Sequence, residues 1–291
     1  MSVYECRWCK YTDSVAWEAR CPQCNGFYRY KKIGIETKEQ KNRSSFAAAA
    51  VSTKVYIPTG VLGFDRVIGG GLVPGSPILL AGFRGAGKSS LLCLVADGIA
   101  RTKGRALYAS SEEGVDGVVS IAHRLKLLND NVDVLGNQVN VEDVIAHAKA
   151  TSPFLTVFDS LQKYTSSKSG GSSGSLAQEH AVCESILAYC RESKTCAIIT
   201  NQMSKSGELR GSTDAAHAVD TILMLGFPKE DDENAPDEKD IRVLLCDGKN
   251  RNGPEGLASY FRMTDEGMLE EVEPKSKLLE FPGRGKYSRR D

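Results

Sequence analysis

The stretch GFRGAGKSS, residues 82–90, joins an apolar run, PILLA, to a helical pattern, SSLLCLVADGIA. Its spacing fits G-x-x-x-x-G-K-[ST] at Gly82, Gly87, Lys88 and Ser89. Glycines in such a loop let successive backbone N–H groups turn inward around phosphate oxygens, and the following helix N-terminus adds its dipole. Gly82, Phe83, Arg84, Gly85, Ala86, Gly87, Lys88, Ser89 and Ser90 thus form a candidate ATP cradle. Lys88 reaches the β- and γ-phosphates and Ser89 holds Mg²⁺. Further along, FLTVFDS ends a strand pattern on Asp159, the layout of a carboxylate that binds Mg²⁺ through water. Hydrolysis also needs a group that orients or deprotonates the attacking water. RALYASSEEG offers Glu112 and Glu113 just past another strand end, with an exposed acidic turn as the alternative.

A second chemistry is written in CRWC and CPQC, which supply Cys6, Cys9, Cys21 and Cys24. Two C-x-x-C turns, each presenting two thiolates, enclose Zn²⁺ tetrahedrally and leave no open position, so the metal is structural. A segment this short cannot fold on core burial alone, and the metal folds it. The other cysteines, Cys93, Cys183, Cys190, Cys196 and Cys246, lie in apolar or helical contexts and read as small core residues. Around the knuckle Trp8, Trp17, Phe27, Tyr28 and Tyr30 interleave with Arg7, Lys10, Arg20 and Arg29. That set either stacks on bases and meets phosphates or forms the module's own small core.

The elements that must position these groups alternate. Strand patterns PILLA, RALYAS, FLTVFD, TCAIIT, DTILMLG and IRVLLC are interleaved with helical patterns beginning at Lys88, Val115, Val141 and Leu176. Alternation of that kind predicts an α/β fold, a mainly parallel sheet with helices on both faces. DTILMLG and IRVLLC, separated by the acidic PKEDDENAPDEKD, predict an antiparallel hairpin at the sheet edge. After IRVLLC comes GKNRNG, a polar run with Lys249 and Arg251 one residue apart, too polar for core. The expected layout is a knuckle over 1–30, a linker over 31–54, an ATPase domain over 55–270 and a basic tail over 271–291. With 291 residues, balanced charge, no apolar run near bilayer length and no signal-peptide pattern, the chain is expected to be soluble and cytoplasmic. Zero net charge argues against a wholly basic nucleic-acid coat.

TGVLGFDRVIGGGLVPGSPILLAG leading into the phosphate loop, the paired C-x-x-C turns and GKNRNG together resemble the bacterial RadA/Sms family of RecA-like DNA repair ATPases. The resemblance runs from Met1 to about Met263. It implies a RecA-like core and selects Glu112, the first glutamate of SSEEG, as the catalytic base. It also implies a γ-phosphate switch at the end of IITNQMSK, Gln202 first and Asn201 second. GKNRNG is similar to that family's KNRFG signature, with Asn252 standing where the signature has Phe. In hexameric RecA-type helicases a Lys-x-Arg at this point reaches the nucleotide of the neighbouring subunit. The resemblance therefore gives Lys249 and Arg251 a role in trans, on charge developing at the transferring phosphoryl group. Phe83-Arg84 stands where the family usually has Asp-Pro. Typical members continue into a Lon-protease-like domain, so the expectation is a compact form.

RecA-type ATPases bind single strands through two loops, which correspond here to 162–175 and 204–217. Both are Gly/Ser-rich, and Lys163, Lys168, Lys205 and Arg210 are the cations to follow a phosphate track. The expected function is an ATP-dependent, single-stranded-DNA-binding motor, a helicase or branch-migration factor in recombination, repair or replication. Its expected cofactors are ATP, Mg²⁺ and Zn²⁺. The expected assembly is a homo-oligomer, a hexameric ring, with a replicative helicase, primase or recombinase as further partners. Other readings are an ATP-switched mediator or helicase loader, a zinc-knuckle adaptor, and a KaiC-like ATPase that never meets DNA.

Overall fold

The computed structural model describes residues 2–13, 20–26, 30–34, 54–203 and 213–275. The chain divides into two compact units, Met1–Thr53 and Lys54–Asp291.

In the first unit β1 (Ser2–Cys6) pairs antiparallel with both β2 (Thr12–Asp13) and β3 (Tyr30–Gly34). β3 runs into the segment expected as linker from residue 31. The two cysteine turns repeat one geometry. Lys10 N–H returns to the Cys6 carbonyl at 3.1 Å and Asn25 N–H to the Cys21 carbonyl at 2.8 Å. Lys10 and Asn25 both take left-handed φ, 63° and 59°, which closes each turn immediately after its second cysteine. Tyr4 and Tyr30 meet edge-to-face at 5.4 Å, so part of the aromatic set is packing.

The second unit is a nine-stranded sheet. It contains α1 (Leu62–Ile68), β4 (Pro77–Gly82), α2 (Lys88–Thr102), β5 (Ala106–Ser110), α3 (Val115–Arg124), β6 (Val132–Leu135), α4 (Val141–Thr151) and β7 (Leu155–Asp159). These are followed by α5 (Leu176–Ser193), β8 (Cys196–Gln202), α6 (Thr213–Ala218), β9 (Thr221–Gly226), β10 (Ile241–Asn250), β11 (Ala258–Met263) and β12 (Leu269–Val272). The strand order is β12-β11-β10-β9-β4-β8-β7-β5-β6. Strands from β9 to β6 across this order run parallel, and β10, β11 and β12 add an antiparallel flank. The expected hairpin therefore forms, but β9 still belongs to the parallel part and the flank is longer than expected.

Successive strand residues face opposite sides. Ile78 and Leu80 join the cluster with α1, α2 and α3, while Leu79 joins the cluster with α4, α5 and α6. No helix among the described residues is long and apolar enough to cross a membrane.

The segment ahead of β4 has its own logic. The buried Asp65 carboxylate accepts from Thr59 N–H at 2.9 Å, Thr59 Oγ1 at 2.9 Å and Gly60 N–H at 3.2 Å. Burial raises its pKa, and those donors oppose the rise. Gly71 has φ 142°, and an added Cβ would sit 2.5 Å from the Ile57 carbonyl. Only glycine allows the Ile57–Leu72 bridge to close there.

Candidate functional site: a phosphate loop and two carboxylates

The parallel strands end together, and their C-terminal ends build the site. β4 runs into the Gly82–Ser90 loop, and Gly87, at φ 97°, starts α2. A left-handed residue at that point suits glycine alone among common choices. Lys88 Nζ donates to the carbonyls of Gly82 and Phe83, both at 3.0 Å. Burial lowers its pKa, while Asp159 and Glu112 pull it back up. The ammonium is thus held half-buried, with neutral carbonyls as its direct partners. Arg84 is exposed at the loop tip, and Phe83 packs on Phe227 with ring centroids 6.3 Å apart.

Register pairs Ser110 with Asp159, bringing the ends of β5 and β7 side by side. Asp159 is held by three hydroxyls. Tyr108 donates to Oδ2 at 2.7 Å, Ser89 to the same oxygen at 3.3 Å, and Thr200 to Oδ1 at 2.6 Å. Tyr108 is fully buried, and burial together with Asp159 pushes its pKa well above the usual phenol value. It therefore stays protonated and stays a donor. A hydroxyl and a carboxylate this close are the hard oxygen pair that Mg²⁺ takes, so Ser89 and Asp159 fit a magnesium site.

The two glutamates of SSEEG part company. Glu112 Oε1 accepts from Gln202 Nε2 at 3.3 Å and from Ser160 Oγ. Glu113 instead lies over the first turn of α3, where a Cβ on Gly117 would meet its Oε2 at 2.8 Å. Gln202 reaches Glu112 across the end of β7, which lies between β8 and β5, and register pairs Gln202 with Gly82 on its other side. Asn201, the second switch candidate, is buried and accepts from Gln162 Nε2.

Residues 162–175 are well organised despite their composition. Glu142, in the first turn of α4, accepts from Ser166 Oγ at 2.6 Å and Ser167 N–H at 3.0 Å. Gln178 of α5 accepts from Ser166 N–H at 2.7 Å and donates to the Ser169 carbonyl at 2.6 Å. Lys163 is exposed, whereas Lys168 Nζ turns to Ser185 Oγ of α5 at 3.0 Å. Lys205 and Arg210 lie outside the described residues.

Lys249 and Arg251 are at the other end of the sheet. Asn250 pairs with Thr221, and Thr221 pairs with Ile78, at the start of the strand that ends on Gly82. Lys249 Nζ donates to the Ala216 carbonyl at 3.2 Å, and Arg251 pairs with Asp220 at 3.0 Å. Asn252, in place of the signature's Phe, donates to Ser76 Oγ and fastens the turn to the segment before β4.

In the first unit the four cysteine sulfurs lie within 4.8 Å of one another. Cys6–Cys24 and Cys9–Cys21 are 3.7 Å apart. Tetrahedral thiolates at about 2.3 Å from one ion stand about 3.8 Å apart, so the set fits zinc. Protein purified without chelator should carry about one zinc per chain, and Cys21→Ser should lose it and unfold this unit. Elemental analysis well below that ratio in the unmutated chain would remove the assignment. Trp8 is 73% exposed, so it is not core, and Trp17, Phe27, Tyr28 and Arg29 lie outside the described residues. The other five cysteines are buried and unbridged, and burial raises Cys93 and Cys190 to about 12, as inert core thiols should be.

Tyr108, Thr200, Ser160, Gln162 and Glu142 are parts of the site that sequence patterns pass over. Tyr108 reads as strand core, and the polar residues have no distinctive spacing.

Comparison with known proteins gives relatives in sequence and in fold. No family model matches the chain. The DNA repair protein RadA of Aquifex aeolicus is 32% identical over 96% of the chain, which spans 61% of that protein. The RadA proteins of Haemophilus influenzae and Mycobacterium tuberculosis H37Rv are each 30% identical over 96% of the chain, covering 61% and 58% of their lengths. The chain thus spans about three-fifths of the length of these relatives. Among solved structures the RadB recombinase superposes with a TM-score of 0.55 at 23% identity, over 74% of this chain and 99% of that one. A second solved structure, an isolated ATPase domain, gives 0.62 at 17% identity, over 75% and 92%. These two matches establish a RecA-like fold.

Proposed function

We propose that this chain, a homologue of the bacterial DNA repair proteins named RadA, is a Mg²⁺-dependent ATPase of recombination and repair that works on single-stranded DNA as a ring-forming motor. The observation that carries this reading is the convergence of Lys88, Ser89, Asp159, Glu112 and Gln202 at one edge of the sheet. The phosphate loop would hold the triphosphate, and Ser89 and Asp159 would hold magnesium, which neutralises charge on the phosphates. Glu112 is the group to orient the attacking water, and Gln202 links that carboxylate to the segment starting at 204. Exposed Lys163, at the start of 162–175, is suited to a phosphate track without base reading.

Steady-state ATP turnover with and without single-stranded DNA tests this. Stimulation that weakens steeply with added salt is the expected result. Turnover indifferent to DNA would replace the DNA reading with a signalling ATPase. Stimulated turnover without unwinding of a forked duplex would leave a mediator or loader.

A further inference from the structure

Glu112 is gripped by the roots of both candidate DNA segments at once. One of its oxygens, Oε1, accepts from Ser160 Oγ and from Gln202 Nε2. A carboxylate oxygen has two lone pairs, so both are engaged on that atom. Ser160 directly follows Asp159 and precedes 162–175, while Gln202 ends β8 just before 204–217.

The buried Ser160 has little freedom of its own. Its N–H donates to Ser111 Oγ at 3.1 Å, and that hydroxyl donates to the Ser160 carbonyl at 3.0 Å. Ser111 is the residue before Glu112, so one side chain locks the backbone of Ser160 beside the carboxylate. Two residues beyond Ser160, Gln162 bridges to Asn201, the residue before Gln202. Ser173, at the far end of the same segment, donates to the carbonyls of Gln162 and Lys163 at 3.2 and 3.1 Å. A displacement of 162–175 therefore pulls on both donors that hold Glu112.

The geometry points to Ser160 as a positioning residue: its hydroxyl latches Glu112 away from the attacking water until movement of 162–175 withdraws it. This rests on the ATPase reading above. Gln202 is the switch that the family resemblance implies, and Ser160 gives the first segment its own line to the same carboxylate.

The test is ATP turnover by Ser160→Ala, Ser160→Thr and Ser160→Ala/Glu112→Gln in the full chain, with thermal melting as a folding control. With the latch removed, kcat without DNA rises about fivefold, the population factor of one net hydrogen bond. KM for ATP stays within about twofold, and stimulation by single-stranded DNA shrinks in proportion. Ser160→Thr, which retains the hydroxyl, restores the low rate, and Glu112→Gln in the double variant abolishes the gain. An unchanged or lower kcat in a folded Ser160→Ala overturns the latch, as does a gain that survives in the double variant. If DNA leaves unmutated turnover unchanged, the DNA reading fails, and the DNA-free rate ratio between Ser160→Ala and the unmutated chain still decides the latch.

Discussion

Lys88→Ala lowers kcat/KM for ATP by about three orders of magnitude and leaves the melting temperature of the free protein unchanged or slightly higher. The two halves of this expectation have the same cause. Lys88 is a desolvated ammonium whose direct partners are the carbonyls of Gly82 and Phe83. Neutral acceptors repay only part of the cost of burying a charge, so removing the ammonium costs the folded chain little. A bound triphosphate exchanges those carbonyls for anionic oxygens, and charge-assisted hydrogen bonds are stronger than neutral ones. That exchange is what the alanine variant forfeits. The stabilisation that Mg²⁺-ATP gives the unmutated protein in a melting experiment should therefore shrink sharply in the variant. Undiminished turnover by a folded Lys88→Ala protein would mean the nucleotide site lies elsewhere.

Sequence patterns carried more of the framework than of the wiring. Helices starting at Lys88, Val115, Val141 and Leu176 were legible because each has an apolar face or a clear N-terminal signal. Asn140 and Ser175, for instance, cap α4 and α5 by accepting from backbone N–H groups. The short elements α1, β6, α6 and β12 were not legible. VDVL and LEEV are too short for periodicity to register, and each persists only because a neighbouring strand supplies its hydrogen bonds. β11 was lost for another reason: ASYFRM follows the polar GKNRNG turn, and its pairing with β10 is a tertiary fact.

At the site, glycine spacing and strand-end acids found the groups that would touch nucleotide, because that chemistry restricts residue type. The groups that hold those acids, Tyr108 on β5, Thr200 on β8 and Ser160 just past β7, come from separate parts of the chain, and no local spacing relates them. The segment 162–175 shows the limit most clearly. Its glycines and serines read as a flexible run, yet Glu142 and Gln178 fasten its backbone from two helices.

Arg251→Ala should reduce turnover about a thousandfold while ATP binding survives, and mixing it with Lys88→Ala should restore part of the lost activity. Lys249 and Arg251 flank Asn250, whose partner Thr221 sits opposite Ile78, four strand steps from Gly82. At about 3.3 Å per residue, those steps carry the pair about 13 Å along the strands from the start of the phosphate loop, toward their opposite end, and β10 stands two strand spacings to the side of β4. Neither side chain reaches a phosphate bound by its own chain, so any nucleotide they meet belongs to another copy. Arg251 is available for that: it is 58% exposed, and its pairing with Asp220 is a surface ion pair, which contributes little and yields readily to a stronger anion. In an equal mixture of the two variants, roughly a quarter of randomly formed interfaces join an intact phosphate loop to an intact arginine. Those interfaces should turn over ATP even though neither variant does so alone. Full activity of Arg251→Ala by itself would reduce the pair to a fastening for the turn, and silence in the mixture would show that sites are not shared between neighbouring copies.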